Sequence, residues 1–143
     1  MRVLVTGGRD FAAYADRLWL YDALNLIHSK EPIVEIIEGG ARGADRAAHN
    51  WALWRQGCGD QIKLTTVSAD WERFGKGAGF VRNSQMAEMA PDIVLACPGG
   101  NGTAHMVSVA KAHRLRVIFL VKMPVFRPMG TLNSLSSVPR VGL

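Results

Sequence analysis

The stretch RVLVTGG at residues 2–8 decides the fold. Its first five residues are rich in β-branched side chains, which favours a β-strand, and two glycines follow at once. A helical pattern comes next, within about residues 13–29, where apolar residues from Leu20 to Ile27 recur at the spacing i, i+3, i+4, i+7. A short strand, a glycine turn and a long helix in this order indicate an α/β domain.

The same alternation of strand and helix continues along the chain. Further strands are predicted at VEIIE (residues 34–38), KLTTV (63–67), IVLAC (93–97) and RVIFLV (116–121), and helices at about residues 43–56, 79–90 and 102–113. Alternation with right-handed crossovers predicts an open, Rossmann-like parallel sheet with helices on both faces. We expect five strands in the order 3-2-1-4-5, with the loops after strands one and four adjacent where the order reverses.

The length of 143 residues and the composition suit one globular domain. Hydrophobic residues make up 48% of the chain and charged residues 20%, which is not the composition of a disordered protein. We predict a Rossmann-like domain at residues 1–121. An irregular basic tail with three prolines is expected at residues 122–143, and a polar loop at residues 68–77.

The net charge of +5 is concentrated in the tail, whose 22 residues hold three basic side chains and no acid. The rest of the chain has 14 basic and 12 acidic residues, so we do not expect a nucleic-acid-binding face. The apolar runs are too short to cross a bilayer, and no leader pattern is seen at the start. We therefore expect a cytoplasmic protein that does not associate with membranes.

The cysteines and histidines suggest neither a disulfide framework nor a metal site. Cys58 and Cys97 form no CxxC motif, and the four histidines show no metal-ligand spacing. We predict two reduced thiols, with Cys97 in the core, and no metal. The turn after strand one lacks the GxGxxG spacing of dinucleotide-binding proteins, so we predict no NAD and no other cofactor.

Glycines and charged side chains follow the carboxyl ends of the first four predicted strands. Ligands of open α/β sheets bind at this edge, against helix N-termini. The predicted ligand- and phosphate-binding residues are Gly7, Gly8, Arg9 and Asp10 after strand one; Gly39, Gly40, Arg42, Gly43 and Asp45 after strand two; Trp71, Lys76, Arg82 and Asn83 after strand three; and Pro98, Gly99, Gly100, Gly102 and Thr103 after strand four. Backbone without a Cβ can approach a phosphate closely, and basic side chains suit an anion.

Each of these features also has a purely structural explanation. A glycine-rich loop can be just a tight turn, a surface cation can pair with a nearby acid, and Trp71 can cover the core instead of stacking on a base. However, Arg42, Lys76 and Arg82 lie near helix starts, where the helix dipole favours acids. Basic residues gathered at one electropositive edge fit an anionic ligand better than a solvated surface.

Four motifs in order carry a family resemblance: TGGRDF (residues 6–11), EGGARGAD (38–45), ADWERFGKGAGFVRN (69–83) and PGGNGT (98–103). They resemble the YspA-type, YpsA-related branch of the SLOG superfamily, over roughly residues 1–121. The resemblance implies a Rossmann-like fold and a nucleotide or nucleotide-derived ligand, such as an ADP-ribose-like molecule. The superfamily includes the LOG phosphoribohydrolases and the DNA-processing protein DprA. Related proteins are commonly dimeric or larger, so we expect a homo-oligomer.

One position departs from the LOG enzymes, which resemble this chain at PGGNGT but continue as PGGxGTxxE. Met106 stands where that glutamate would be. The carboxylate serves N-glycosidic cleavage through an oxocarbenium-like transition state, and a thioether cannot replace it. His105 is a poor substitute because it points about 100° away around the helix. Asp10, Asp45 or Asp70 can supply an acid from another loop, so whether the chain is an enzyme stays open.

Three functions therefore remain, in this order of preference. The first is a module that binds or senses a phosphorylated nucleotide-derived small molecule. The second is a LOG-like hydrolase of nucleoside monophosphates, in which Arg82 matches the motif arginine and holds the phosphate. The third is a DprA-like binder of single-stranded nucleic acid, which the nearly neutral domain disfavours.

Overall fold

The computed structural model describes residues 1–122 and 139–142. In chain order its elements are β1 (Arg2–Thr6), α1 (Tyr14–Lys30), β2 (Glu35–Glu38), α2 (Ala44–Gly57), β3 (Lys63–Thr66), α3 (Trp71–Phe74), a 3₁₀ turn (Gly75–Gly77), α4 (Ala78–Glu88), β4 (Ile93–Ala96), α5 (Asn101–Ala112), β5 (Arg116–Lys122) and β6 (Pro139–Gly142). The predicted strand–helix alternation is confirmed. Two regions differ from the prediction, the tail and the segment before α4.

The six strands form one sheet in the order β3-β2-β1-β4-β5-β6. The first five are parallel, so the predicted order 3-2-1-4-5 is confirmed. β1 lies at the centre, where Val3 pairs with Ile36 of β2 on one side and Ile93 of β4 on the other. The chain winds outward in both directions from β1, which brings the loops after β1 and β4 side by side.

The sheet is covered on both faces, and alternate residues of each strand enter opposite layers. Val3 and Val5 pack with α1 and α2, whereas Leu4 packs with α4 and α5. Cys97 is buried in the first layer, as predicted, and burial raises the pKa of its thiol to about 12. Met106 of α5 is fully buried in the second layer.

The end of the chain corrects the prediction of an irregular tail from residue 122 to 143. Lys122 still belongs to β5, and Pro139–Gly142 pairs antiparallel with β5 as an edge strand. The prolines of the tail argued against a strand in the sequence. A proline is tolerated at the first position of an edge strand, and the backbone of β5 gains the partners that its open side needs. Residues 123–138 and 143 lie outside the described residues.

The segment at residues 68–77, predicted as a loop, contains the short helix α3 and the 3₁₀ turn. The carboxylate of Asp70 accepts a hydrogen bond of 3.0 Å from the backbone N–H of Arg73 and so caps α3. The glycines at positions 75, 77 and 79 hid this cap signal in the sequence. One consequence is that α4 begins at Ala78, which places Arg82 in the second turn and not in the first, as the sequence had suggested.

Candidate functional site

Backbone hydrogen bonds join three loops at the carboxyl edge of the sheet. The N–H of Gly8, after β1, donates to the carbonyl of Pro98, after β4, at 2.9 Å. The carbonyl of Gly8 accepts from the N–H of Ala44, the first residue of α2, at 3.2 Å. The loops after β1, β2 and β4 therefore hold one another in place, as the reversal of strand order predicted.

Several glycines of these loops are closely surrounded by neighbouring residues. Gly43 has φ +84°, and a Cβ there would lie 2.2 Å from the carbonyl oxygen of Gly8. A Cβ on Gly99 would lie 2.1 Å from Oγ1 of Thr103, and one on Gly7 would lie 2.5 Å from the Cβ of Ala44. Packing between the loops thus requires these glycines, whether or not a phosphate also approaches them.

The N-terminus of α5 is different, because a Cβ on Gly100 or Gly102 would meet nothing within 4 Å. The first helical bond of α5 runs from the N–H of Ala104 to the carbonyl of Gly100, so the N–H groups of Asn101, Gly102 and Thr103 have no partner within the helix. No side chain caps this end, and its first turn holds no acid. Free donors and the helix dipole make it suited to an anion.

A cavity of about 390 Å³ opens beside this helix end. Ten of the predicted residues line it: Gly7, Arg9, Asp45, Trp71, Lys76, Arg82, Asn83, Gly100, Gly102 and Thr103. Sequence reasoning missed five further lining residues: Thr6, Ala41, Gly79, Phe80 and Met86. Gly7 and Gly100 share this cavity, as expected if the loops after β1 and β4 meet at one edge.

Eight predicted residues lie outside the cavity. Gly39 and Gly40 line an adjoining groove of about 170 Å³, which shares Arg9, Trp71 and Arg82 with the cavity. Of the other six, Gly8 and Gly43 lie in the loop junction, where the loops after β1 and β2 pack against each other, and Arg42 is exposed. Asp10, Pro98 and Gly99 line a separate depression. The sequence could not distinguish these positions because it shows the loop that carries a residue but not the direction of its side chain.

Three cations line the cavity, and within the described chain Arg9, Lys76 and Arg82 take part in no ion pair. Arg82 is nevertheless held in place. Its Nη1 donates to the carbonyl of Gly39, and its Nε donates to Oδ1 of Asn83 at 3.1 Å. The Nη2 group donates to none of the described residues, so its N–H groups are available to bind an anion.

Asp45 is a carboxylate in the same cavity and is only 7% exposed. Its Oδ2 accepts hydrogen bonds from the backbone N–H groups of Gly39 at 3.1 Å and Ala41 at 3.2 Å, whereas its Oδ1 accepts none from the described residues. Burial raises the pKa of Asp45 to about 6, and the charge of Glu38 adds to the rise. The two N–H groups and Arg82 act in the opposite direction.

The other acids considered from the sequence do not reach the cavity. Asp10 lines the separate depression, and Asp70 caps α3. Met106 packs in the core under α5, so the position of the LOG glutamate does not line the cavity in this chain. Among the described residues, the acid that lines the cavity is Asp45.

Two aromatic rings stand at the cavity, Trp71 at 52% and Phe80 at 50% exposure. Phe80 stacks on His105, with ring centroids 4.0 Å apart and 12° between the planes. The Nδ1 of His105 also lies 3.1 Å from Nδ2 of Asn83. His105, which sequence reasoning set aside, therefore supports two residues of the cavity wall. Phe80 lies within the GAGFVRN part of the third motif, and that position was the signal that could have found it.

The comparisons with known proteins agree with this architecture. Residues 1–74 match the family described as YspA, cpYpsA-related SLOG family. The chain belongs to this family. It is also similar to the Gene 61 protein of Mycobacterium phage D29, at 38% identity over 120 residues, which cover 82% of this chain and 94% of the phage protein. The match to the SLOG family includes the loops that carry Arg9 and Asp45.

The described part of this SLOG-family chain holds no cluster of metal-ligand side chains and no helix that could span a membrane. Over residues 1–122 and 139–142, no three His, Cys, Asp or Glu side chains come together as a metal site would require. In the same residues, no helix has the length and apolar character needed to span a membrane.

Proposed function

We propose that this protein binds a phosphorylated, nucleotide-derived small molecule, such as a nucleoside monophosphate or an ADP-ribose-like compound, in the cavity at the carboxyl edge of the sheet. One observation carries the proposal: a single cavity joins free helix N–H groups, three unpaired cations and two half-exposed aromatic rings. Family membership supports a nucleotide-related ligand. We place the protein in the cytoplasm, where such ligands are abundant.

The phosphate end of the ligand is assigned to α5. The N–H groups of Gly102 and Thr103 are free, the hydroxyl of Thr103 bonds to none of the described residues, and Arg82 offers its Nη2. Hydrogen bonds to a charged partner contribute about 1.5–3 kcal/mol each, so three such donors suffice for measurable affinity. Arg9 and Lys76 add long-range attraction to an anion.

The base end is assigned to Trp71 and Phe80. Half-exposed rings beside a polar cavity offer a stacking surface, and base–aromatic stacking contributes about 1–3 kcal/mol. The volume of about 390 Å³ lies within the range of small-molecule sites. The adjoining groove at Gly39 and Gly40 gives room for a second phosphate or sugar.

Mass spectrometry of the small molecules released from protein purified without added ligand tests the proposal directly. Calorimetry with the four ribonucleoside monophosphates and ADP-ribose follows. We expect binding that weakens at least tenfold in Lys76→Gln combined with Arg9→Gln, and that is kept in Arg116→Gln, a surface arginine at the opposite edge of the sheet. If no nucleotide is released and none binds at millimolar concentration, the proposal is rejected.

A hydrolase that cleaves the N-glycosidic bond of a nucleoside monophosphate is the second candidate, and the position of Asp45 favours it. A carboxylate near the sugar stabilises an oxocarbenium-like transition state. Chromatography of the free base, after incubation of the protein with each nucleoside monophosphate, separates this candidate from a binding module. Base release that is lost in Asp45→Asn and kept in Arg116→Gln would establish the hydrolase, whereas intact nucleotide at high protein concentration would exclude it.

A further inference from the structure

Asp45 is electrostatically out of place in a cavity that is otherwise built for an anion. A carboxylate there repels a phosphate, and its burial is itself unfavourable. The two hydrogen bonds that it accepts from Gly39 and Ala41 do not explain the charge, because the side-chain oxygen of an asparagine could accept both. The negative charge therefore needs another partner.

Arg82 is not that partner. No ion pair joins Asp45 and Arg82, whose Nη1 and Nε are already bonded to Gly39 and Asn83. The pKa of Asp45 remains raised, because burial outweighs the attraction of the guanidinium. What the carboxylate lacks is a neutral donor that enters the cavity and bonds to Oδ1.

We propose that Oδ1 of Asp45 accepts a hydrogen bond from a hydroxyl of the ligand's sugar, so that the site selects ribose over deoxyribose. The inference rests on the proposed function and adds to it the chemistry of the sugar. A hydroxyl that donates to an ionised carboxylate forms a short, strong hydrogen bond. The same carboxylate gives a phosphate group no favourable contact, so it also fixes the direction in which the ligand lies.

The side chains of Asp45 and Arg82 lie next to each other at Gly39. A Cβ on Gly39 would lie 2.6 Å from Nη1 of Arg82 and 2.9 Å from Oδ2 of Asp45, the two atoms that already bond to Gly39, and both side chains also line the cavity. Thr103, in the first turn of α5, and Trp71 line the same cavity. Within this one cavity the proposal assigns the sugar to Asp45, the phosphate to α5 and the base to Trp71.

The test uses a matched series of probes on the full chain. The ribonucleoside monophosphate that binds most tightly is compared by calorimetry with its 2′-deoxy and 3′-deoxy analogues and with ribose 5-phosphate. We expect wild type to prefer the ribose form over at least one deoxy form by about tenfold or more. In Asp45→Asn the preference should fall to within about twofold, while Asp22→Asn, an exposed acid on α1, keeps it.

The outcomes separate the two proposals. If nucleotides bind but wild type does not distinguish ribose from either deoxy form, or if Asp45→Asn keeps the full preference, the role of Asp45 is overturned and the proposed function stands. If neither the nucleotides nor ribose 5-phosphate bind, the proposed function fails and this inference fails with it. Circular dichroism checks that each variant keeps the fold. We expect Asp45→Asn to keep it, because the side-chain oxygen of the asparagine can still accept the hydrogen bonds from the N–H groups of Gly39 and Ala41.

Discussion

The glycines at the carboxyl edge fall into two groups that look alike in the sequence. Gly7, Gly43 and Gly99 are enclosed, so that any side chain would collide with a neighbouring loop. Gly100 and Gly102 lie at the N-terminus of α5, which no side chain caps, and a Cβ there would meet nothing within 4 Å. The first group holds the loops together, and the second leaves backbone bare beside a cavity. Only the second group is evidence for a ligand.

The difference gives a criterion that can be applied to every residue of the edge. A change to a residue that serves packing should destabilise the free protein. A change to a residue kept for a ligand should leave the free protein as stable or more stable and weaken binding, because functional sites often carry locally unfavourable groups. The predictions below test this division, in order of decreasing effect.

Gly43→Ala should give the largest loss of stability. The new methyl group would overlap the carbonyl of Gly8 in a backbone conformation that favours glycine, so we expect a loss of about 3 kcal/mol or more, or roughly 10 °C in melting temperature. Thermal unfolding followed by circular dichroism measures it. A Gly43→Ala protein that melts like wild type would show that the loops can shift to make room for a methyl group. The distinction between enclosed and open glycines would then not hold.

Asp45→Asn should raise the stability of the free protein at neutral pH. The rise of the pKa from 3.8 to about 6 means that the ionised carboxylate destabilises the folded state by at most about 3 kcal/mol, at 1.36 kcal/mol per pKa unit. The neutral amide of asparagine avoids this cost. Because the folded protein binds the proton more tightly, the contribution of Asp45 to stability is present below pH 3.8 and is lost as the pH rises through 6. The surrounding charges are Glu38 and Arg82, with the thiol of Cys97 nearby.

The variant should therefore melt several degrees above wild type at pH 7.5, and the difference should shrink at pH 4.5. Melting curves at a series of pH values check this sign. An Asp45→Asn variant that melts lower at pH 7.5 would mean that Arg82 stabilises the carboxylate more than burial destabilises it, and Asp45 would then belong with the packing residues.

The position of the site in the fold could be foreseen from the sequence, although the division between packing and ligand-binding residues could not. The strand order followed from the alternation of apolar strands and helices, and it placed Arg9, Asp45, Arg82 and Thr103 at one edge before any contact was known. The direction of the side chains could not be foreseen. Arg42 lies two residues before α2 and is exposed outside the cavity, whereas Asp45, one residue into the helix, is buried and lines it.

Contacts between distant loops were also hidden from the sequence. The hydrogen bond from Arg82 to the carbonyl of Gly39 joins residues 43 positions apart, and no local pattern encodes it. Phe80 looks like an isolated exposed apolar residue unless its stacking on His105 is seen. The tail strand was missed because its pairing with β5, and not its own propensity, makes it a strand.

Arg82→Gln should affect both packing and binding. The sequence places Arg82 near a helix start, where the helix dipole disfavours a cation, but the structure gives Arg82 a hydrogen bond to the carbonyl of Gly39 and one to Asn83. We expect the free protein to lose about 1 kcal/mol of stability and nucleotide affinity to fall at least tenfold. Arg82→Lys keeps the positive charge but replaces the planar set of guanidinium N–H donors with one ammonium group, so it should retain only part of the affinity. Unchanged binding in calorimetry would leave Arg82 with a structural role alone.

Gly102→Ala should produce the smallest change in stability, and its sign is what matters. Gly102 is the second residue of α5, and alanine is the better helix former, so the free protein should gain about 0.5 kcal/mol. Gly57, the last residue of α2, also has nothing within 4 Å of a Cβ and lies outside the cavity, which makes Gly57→Ala the matched control. Both variants should melt at or slightly above the wild-type temperature, and calorimetry should show weaker nucleotide binding in Gly102→Ala alone, because the added methyl group stands where the phosphate approaches the helix. If Gly102→Ala binds as tightly as Gly57→Ala, the bare backbone of α5 is not the phosphate site, and the open glycines have no more to do with a ligand than the enclosed ones.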